Sequence, residues 1–178
     1  TVNGAGVKLR NSGAFNGHLT VDGLAFASSN DDAINLTSFT GFTLVNSAFT
    51  SVGDDSTTDD ALQLTASSGS PPITIYNNTF SDVGNNGLSI NADGSSTPTI
   101  TIVTNSFSDG GGANKLDVPI AVATNTSANA KLTIFNNTIT GTDGSGIDLV
   151  VDDSSQLTAY VSQNTLQNLA TTAGAIQV

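Results

Sequence analysis

Ile73-Thr74-Ile75-Tyr76-Asn77-Asn78-Thr79-Phe80 decides the fold, because the chain keeps repeating it. Residues 42–49, 100–107 and 132–139 have the same form, and residues 19–26 are a looser copy. A last copy, residues 157–160 followed by Asn164-Thr165-Leu166, carries two extra residues. Between the copies sits a second unit of small, apolar, polar and apolar residues, as in Ala33-Ile34-Asn35-Leu36 and Gly87-Leu88-Ser89-Ile90. Its closing residues fall at 9, 36, 64, 90, 122, 149 and 178, in steps of 26 to 32 residues. Such a period, with two or three short strands in each repeat, means a solenoid.

Alternation within the units places the core. In the eight-residue unit, positions one, three and eight are apolar and point inward on a strand of period two. The eighth position then stacks Phe26, Phe49, Phe80, Phe107, Ile139 and Leu166 up the coil. The second unit begins with Gly, Ala or Pro, which suits a tight bend before the strand. Two residues before the closing Phe or Ile stands Asn78, Asn105, Asn137 or Asn164, with Leu24 and Ser47 in the earlier repeats. Stacked amides bond along the axis and let the chain turn, so a structural role is expected for them. The prediction is an all-β, single-stranded parallel β-helix, one domain over residues 1–178, with about seven rungs at a spacing of about 4.8 Å.

Composition narrows the function. Every one of the 15 acidic residues is Asp, and four cations leave a net charge of −11. Asp, Gly, Ser, Thr and Asn favour turns over helix. Nucleic acid is excluded as an expected partner, because phosphate binding needs clustered Lys and Arg. No apolar run is long enough to span a bilayer as a helix, so no membrane insertion is expected. With no cysteine, neither disulfides nor thiolate metal sites enter. The start at Thr1, without Met or signal peptide, reads as a mature product or excised segment. The low-lysine, Asp/Thr/Asn/Gly-rich surface suits an extracellular or cell-surface setting.

The alternation of Ile-Thr-Ile-x-Asn-Asn-Thr-Phe with Gly-x-Gly-Ile-x-Leu resembles the right-handed parallel β-helix repeats of the pectate-lyase-like superfamily, over almost the whole chain. The resemblance implies the fold, and it leaves activity open. That superfamily includes polysaccharide lyases, glycoside hydrolases, phage tailspikes and non-catalytic stretches of bacterial surface proteins.

Four carboxylates stand out. Asp31-Asp32 and Asp59-Asp60 occupy the same slots on adjacent rungs, and Asn85-Asn86 and Asp117-Val118 continue the column, with Asp54-Asp55 in the same loop as Asp59. Asx turns at the strand starts explain them. So does calcium, since carboxylates stacked about 5 Å apart repel unless a cation sits among them. Asn30-Asp31-Asp32-Ala33-Ile34 is also similar to the paired-aspartate motif of polygalacturonase-type hydrolases, where two carboxylates divide acid and base roles. That family's Gly-His-Gly and Arg-Ile-Lys do not follow, and His18 lies upstream as an expected turn residue. Lys8, Arg10, Lys115 and Lys131 form no cluster and are expected to be solubilising, and the negative surface repels polyuronates.

A second pattern lies on the outward positions. Position two holds Thr20, Thr43, Thr74, Thr101, Thr133 and Thr158. Position four holds Asp22, Val45, Tyr76, Val103, Phe135 and Tyr160. Strand propensity accounts for both files, yet contiguous large apolar groups also mark contact surfaces. Tyr76, Phe135 and Tyr160 suit stacking on sugar rings or packing against a neighbouring chain. Ice binding also fits a threonine array, although only one file is regular. Neither end of the coil has an obvious cap, so stacking of copies end to end, with no rung missing, is expected to be geometrically open. The expected function is a non-catalytic extracellular structural or adhesive module that self-associates or binds carbohydrate or another surface protein. The alternative is a polysaccharide lyase or hydrolase acting through the acidic column. A calcium-stabilised carbohydrate-binding module is a third expectation. No cofactor other than calcium is expected.

Overall fold

A computed structural model describes residues 2–3, 9–11, 13, 15–29, 31–53, 59–110, 116–170 and 174–178. The chain winds as a parallel β-solenoid whose turns visit three sheets in the order A, B, C. Sheet A contains Val2–Asn3, Ala25–Ser29, Ala48–Val52, Thr79–Val83, Ser106–Ser108, Thr138–Thr142 and Thr165–Leu169. Sheet B contains Leu9–Arg10, Ile34–Thr37, Leu62–Ala66, Leu88–Ala92, Ile120–Thr124, Ile147–Val151 and Ile176–Gln177. Sheet C contains Phe15–Asp22, Phe39–Val45, Pro72–Tyr76, Thr99–Val103, Asn129–Phe135 and Gln156–Ser162. The eight-residue unit is therefore a sheet C strand, a two-residue corner and the start of a sheet A strand. The small-apolar-polar-apolar unit is sheet B.

The interior is organised as predicted. Phe26, Phe49, Phe80 and Phe107 pair in register and lie buried. Their rings stack nearly parallel at centroid spacings of 4.7, 4.9 and 4.8 Å, the spacing of the strands that carry them. Ile139 and Leu166 continue the column. Two glycines that open sheet B units, Gly87 and Gly146, lie against this stack. A Cβ on Gly87 would come within 2.9 Å of the Phe107 ring and 2.8 Å of the Pro119 carbonyl.

The corner between sheets C and A depends on two amide files. Inside, Asn105 Nδ2 donates to the carbonyls of Ile75 and Val103 and to Asn137 Oδ1, while its own Oδ1 accepts from the Asn78 main-chain and side-chain N–H groups. Asn137 and Asn164 repeat the pattern above, and Ser47 closes it below by donating its main-chain N–H to Asn78 Oδ1. These groups satisfy backbone atoms that a sharp corner would otherwise leave unpaired. Outside, Asn46, Asn77, Thr104, Asn136 and Gln163 hold φ between 53° and 57°. Thr104 is the odd member, because a β-branched side chain is poorly suited to the left-handed region. The Asn77 amide reaches Asn46 Oδ1 at 2.8 Å, whereas Asn136 reaches Thr104 Oγ1 only at 3.5 Å. Thr104→Asn is expected to stabilise the fold by about 1 kcal/mol, read as a higher urea midpoint.

The last rung departs from expectation. Thr158 pairs with Lys131, Tyr160 with Thr133 and Ser162 with Phe135. The threonine file therefore ends at Thr133, and Tyr160 continues that file rather than the aromatic one. The buried corner amides fix the register: Asn164 must sit over Asn137, so the two extra residues fall at the start of the strand.

Candidate functional site

The aspartate column stands at the corner where sheet A passes into sheet B. The Asp60 main-chain N–H donates to Asp32 Oδ1 at 2.8 Å, and the Asn86 N–H donates to Asp60 Oδ1 at 3.1 Å. Each carboxylate thus caps the backbone of the rung above, and the Asn85 amide adds a bond to Asp60 at 2.9 Å. The column continues as the Asp117 N–H bonds the Asn85 carbonyl. Asp32 and Asp60 are only 6% and 2% exposed. Burial pushes the Asp60 carboxyl up to about 6; the Asn86 amide opposes the shift and the neighbouring Asp32 charge adds to it.

Asp31, Asp32 and Asp59 bring carboxylate oxygens within 4.8 Å of one another, and Asp60 does not join them. Of the four aspartates expected to hold calcium, three therefore come together. Calcium takes about six to eight oxygen ligands, and the Asp31 and Asp32 oxygens are engaged elsewhere. Arg10 pairs with Asp31 Oδ2. Asp31 Oδ1 accepts from the Asp32 N–H at 2.8 Å, and Asp32 Oδ2 accepts from Asn35 Nδ2 at 2.7 Å. A guanidinium and several amides already offset the repulsion that suggested a cation, so the residues fit calcium poorly. Arg10 is likewise an ion-pair partner and not a lone solubilising cation. Sequence spacing carried that signal, since Arg10 pairs with Asn35 in register beside Asp31. Asn30, Asp54, Asp55, Lys8 and Lys115 lie outside the described residues.

His18 lies in a strand rather than a turn, and its Nε2 is 2.9 Å from Thr43 Oγ1. Its ring covers Gly41, where a Cβ would come within 2.3 Å of Nδ1. Register places Lys131 four rungs above this position, so the two do not converge on one substrate.

The outer face of sheet C does bring its predicted residues together. Thr43, Thr74, Thr101 and Thr133 form one file, and Val45, Tyr76, Val103 and Phe135 form the next. Tyr76 is 47% exposed, and Tyr160, above Thr133, is 59% exposed. Thr158 lies apart from the threonine file, above Lys131. Ser70, Thr97, Thr99 and Asn129, which belong to no repeated sequence pattern, line a recess beside this face together with Lys131.

Among the described residues, sheets A and B have seven strands and sheet C six.

A family model described as "Right handed beta helix region" matches residues 1–168. No curated protein and no solved structure matches the chain.

Proposed function

Because the chain belongs to the right-handed β-helix family, with its side chains piled into files, we propose that it is a non-catalytic structural and adhesive module of the cell exterior. Its contact surface is the outer face of sheet C, and its partner is a carbohydrate or another surface protein. One observation carries this reading. Val45, Tyr76, Val103 and Phe135 stand on four consecutive rungs beside an unbroken threonine file. Such a face offers apolar area for a sugar ring or a partner side chain, with hydroxyls alongside to fix orientation. The extracellular setting is supported by the Asp/Thr/Asn/Gly-rich, lysine-poor composition.

The lyase or hydrolase alternative would use the acidic column. An acid with a pKa near 6 suits proton transfer at neutral pH. Asp32 and Asp60, however, are buried and turned to main-chain amides, which favours the non-catalytic reading. Association of copies end to end, through the open edges of the coil, is the other form of partnership.

The test is affinity electrophoresis through gels containing laminarin, galactomannan or xyloglucan, with product analysis of the same mixtures. At least one polymer should retard the wild-type chain without being cut. Tyr76→Ala with Phe135→Ala should weaken retardation about ten-fold while leaving the melting temperature close to wild type. Release of oligosaccharide products, or retention that ignores both substitutions, would overturn the proposal.

A further inference from the structure

We propose that the corner between sheets B and C forms a groove along the solenoid axis that binds a neutral oligosaccharide. The inference goes beyond the contact face above, because it rests on different residues. The groove arises from unequal corner lengths. Four residues, 38–41, join Thr37 to Phe42. The equivalent link from Thr65 to Ile73 takes seven, 66–72, and that from Asn91 to Ile100 takes eight, 92–99. Where the short corner meets the longer one lies a recess of about 210 Å³, lined by Phe39, Thr40, Ser70 and Pro71 among others. A second recess of about 380 Å³ is lined by Ser70, Thr97, Thr99, Asn129 and Lys131. Ser70 lines both, and its hydroxyl lies 2.5 Å from that of Thr97. The two recesses therefore adjoin along the axis.

The lining defines the ligand. Hydroxyls and an amide both donate and accept, as sugar hydroxyls do. Phe39 and Pro71 are buried and give the lower recess an apolar wall for the C–H face of a sugar ring. No carboxylate is among the described lining residues, in a chain with 15 Asp. Lys131 adds a strong donor on the exposed side. The larger recess matches the lower range of small-ligand sites, about 300–1,000 Å³. A net charge of −11 repels anionic polymers at a distance, which leaves neutral glycans as the favoured class. Thr99 and Lys131 pair on adjacent rungs beside Thr101 and Thr133, so the groove opens onto the sheet C face.

The probes are laminarin, galactomannan and xyloglucan, with dextran sulfate as the anionic comparison, in gels at low and high salt. At least one neutral polymer should retard the chain equally at both salt levels, since screening leaves an uncharged ligand unaffected. Thr97→Val with Thr99→Val, and separately Lys131→Gln, should each weaken retardation about five-fold or more with melting temperature preserved. Retardation by dextran sulfate alone, by no neutral polymer, or equally in wild type and groove variants would overturn the groove. If Tyr76→Ala with Phe135→Ala abolishes binding while the groove variants bind normally, the face stands and the groove falls. If the groove variants lose binding and the aromatic variants keep it, the groove stands and the face falls.

Discussion

Asn105→Ala is expected to lower the unfolding free energy by about 4 kcal/mol. Asn105 is buried at the middle of the inner amide file. Its removal leaves the Asn78 main-chain N–H and the Ile75 carbonyl without their side-chain partner, and it breaks the links to Asn78 and Asn137 on either side. Each buried polar group left unsatisfied costs about 1–3 kcal/mol, and two or more are orphaned here. Asn164→Ala, at the half-buried upper end of the file, should cost about 1–2 kcal/mol, because water reaches the freed groups. Asn105→Ser should fall between wild type and alanine, since Ser47 already fills the same slot lower in the coil. Urea midpoints of the three variants check the order.

Asp60→Asn is expected to stabilise the protein by about 2–3 kcal/mol at pH 8 and by nothing below about pH 4. The folded carboxyl has its pKa raised from 3.8 to about 6, chiefly by burial. Below pH 4 both folded and unfolded forms carry the proton, and the group makes no difference. As pH rises from about 4 to about 6 the unfolded chain releases its proton while the folded one holds it, so stability falls. Above that window both are ionised and the penalty is constant. Asparagine keeps the acceptor that the Asn86 N–H and the Asn85 amide use and removes the buried charge facing Asp32. The rung above already has Asn86 where Asp60 stands below it. Thermal melts of wild type and variant should coincide below about pH 4, diverge between about pH 4 and pH 6, and keep a constant gap above that. Curves that stay parallel across the whole range would contradict the assignment.

Phe26, Phe49, Phe80 and Phe107 were legible as one column because the sequence repeat and the solenoid turn have the same length, so equal position becomes vertical contact. The corner asparagines were legible for the same reason. The register of the last rung was not, because Leu157-Thr158 imitates the start of the unit while Asn164 actually fixes it. An amide whose Oδ1 must accept from the Asn137 main-chain and side-chain N–H groups outweighs an apolar-threonine pair at an open edge. The Arg10–Asp31 ion pair was within reach of the repeat spacing, which sets Arg10 beside Asn35, whereas the Ser70 groove depends on how corners of unequal length lie beside one another, which residue identity alone does not specify. The acidic column was visible as a column, but its role as a backbone cap depends on where the Asp60 and Asn86 amides point.

Hydroxyl-radical footprinting with and without the retained polysaccharide tests most directly where this chain meets its partner. Tyr76 and Phe135 should react in the free protein and be shielded in the complex, while the stacked phenylalanines stay unreactive in both. Shielding confined to the corner that carries Asp31, Asp32, Asn85 and Asn86, with Tyr76 and Phe135 still reactive, would contradict it.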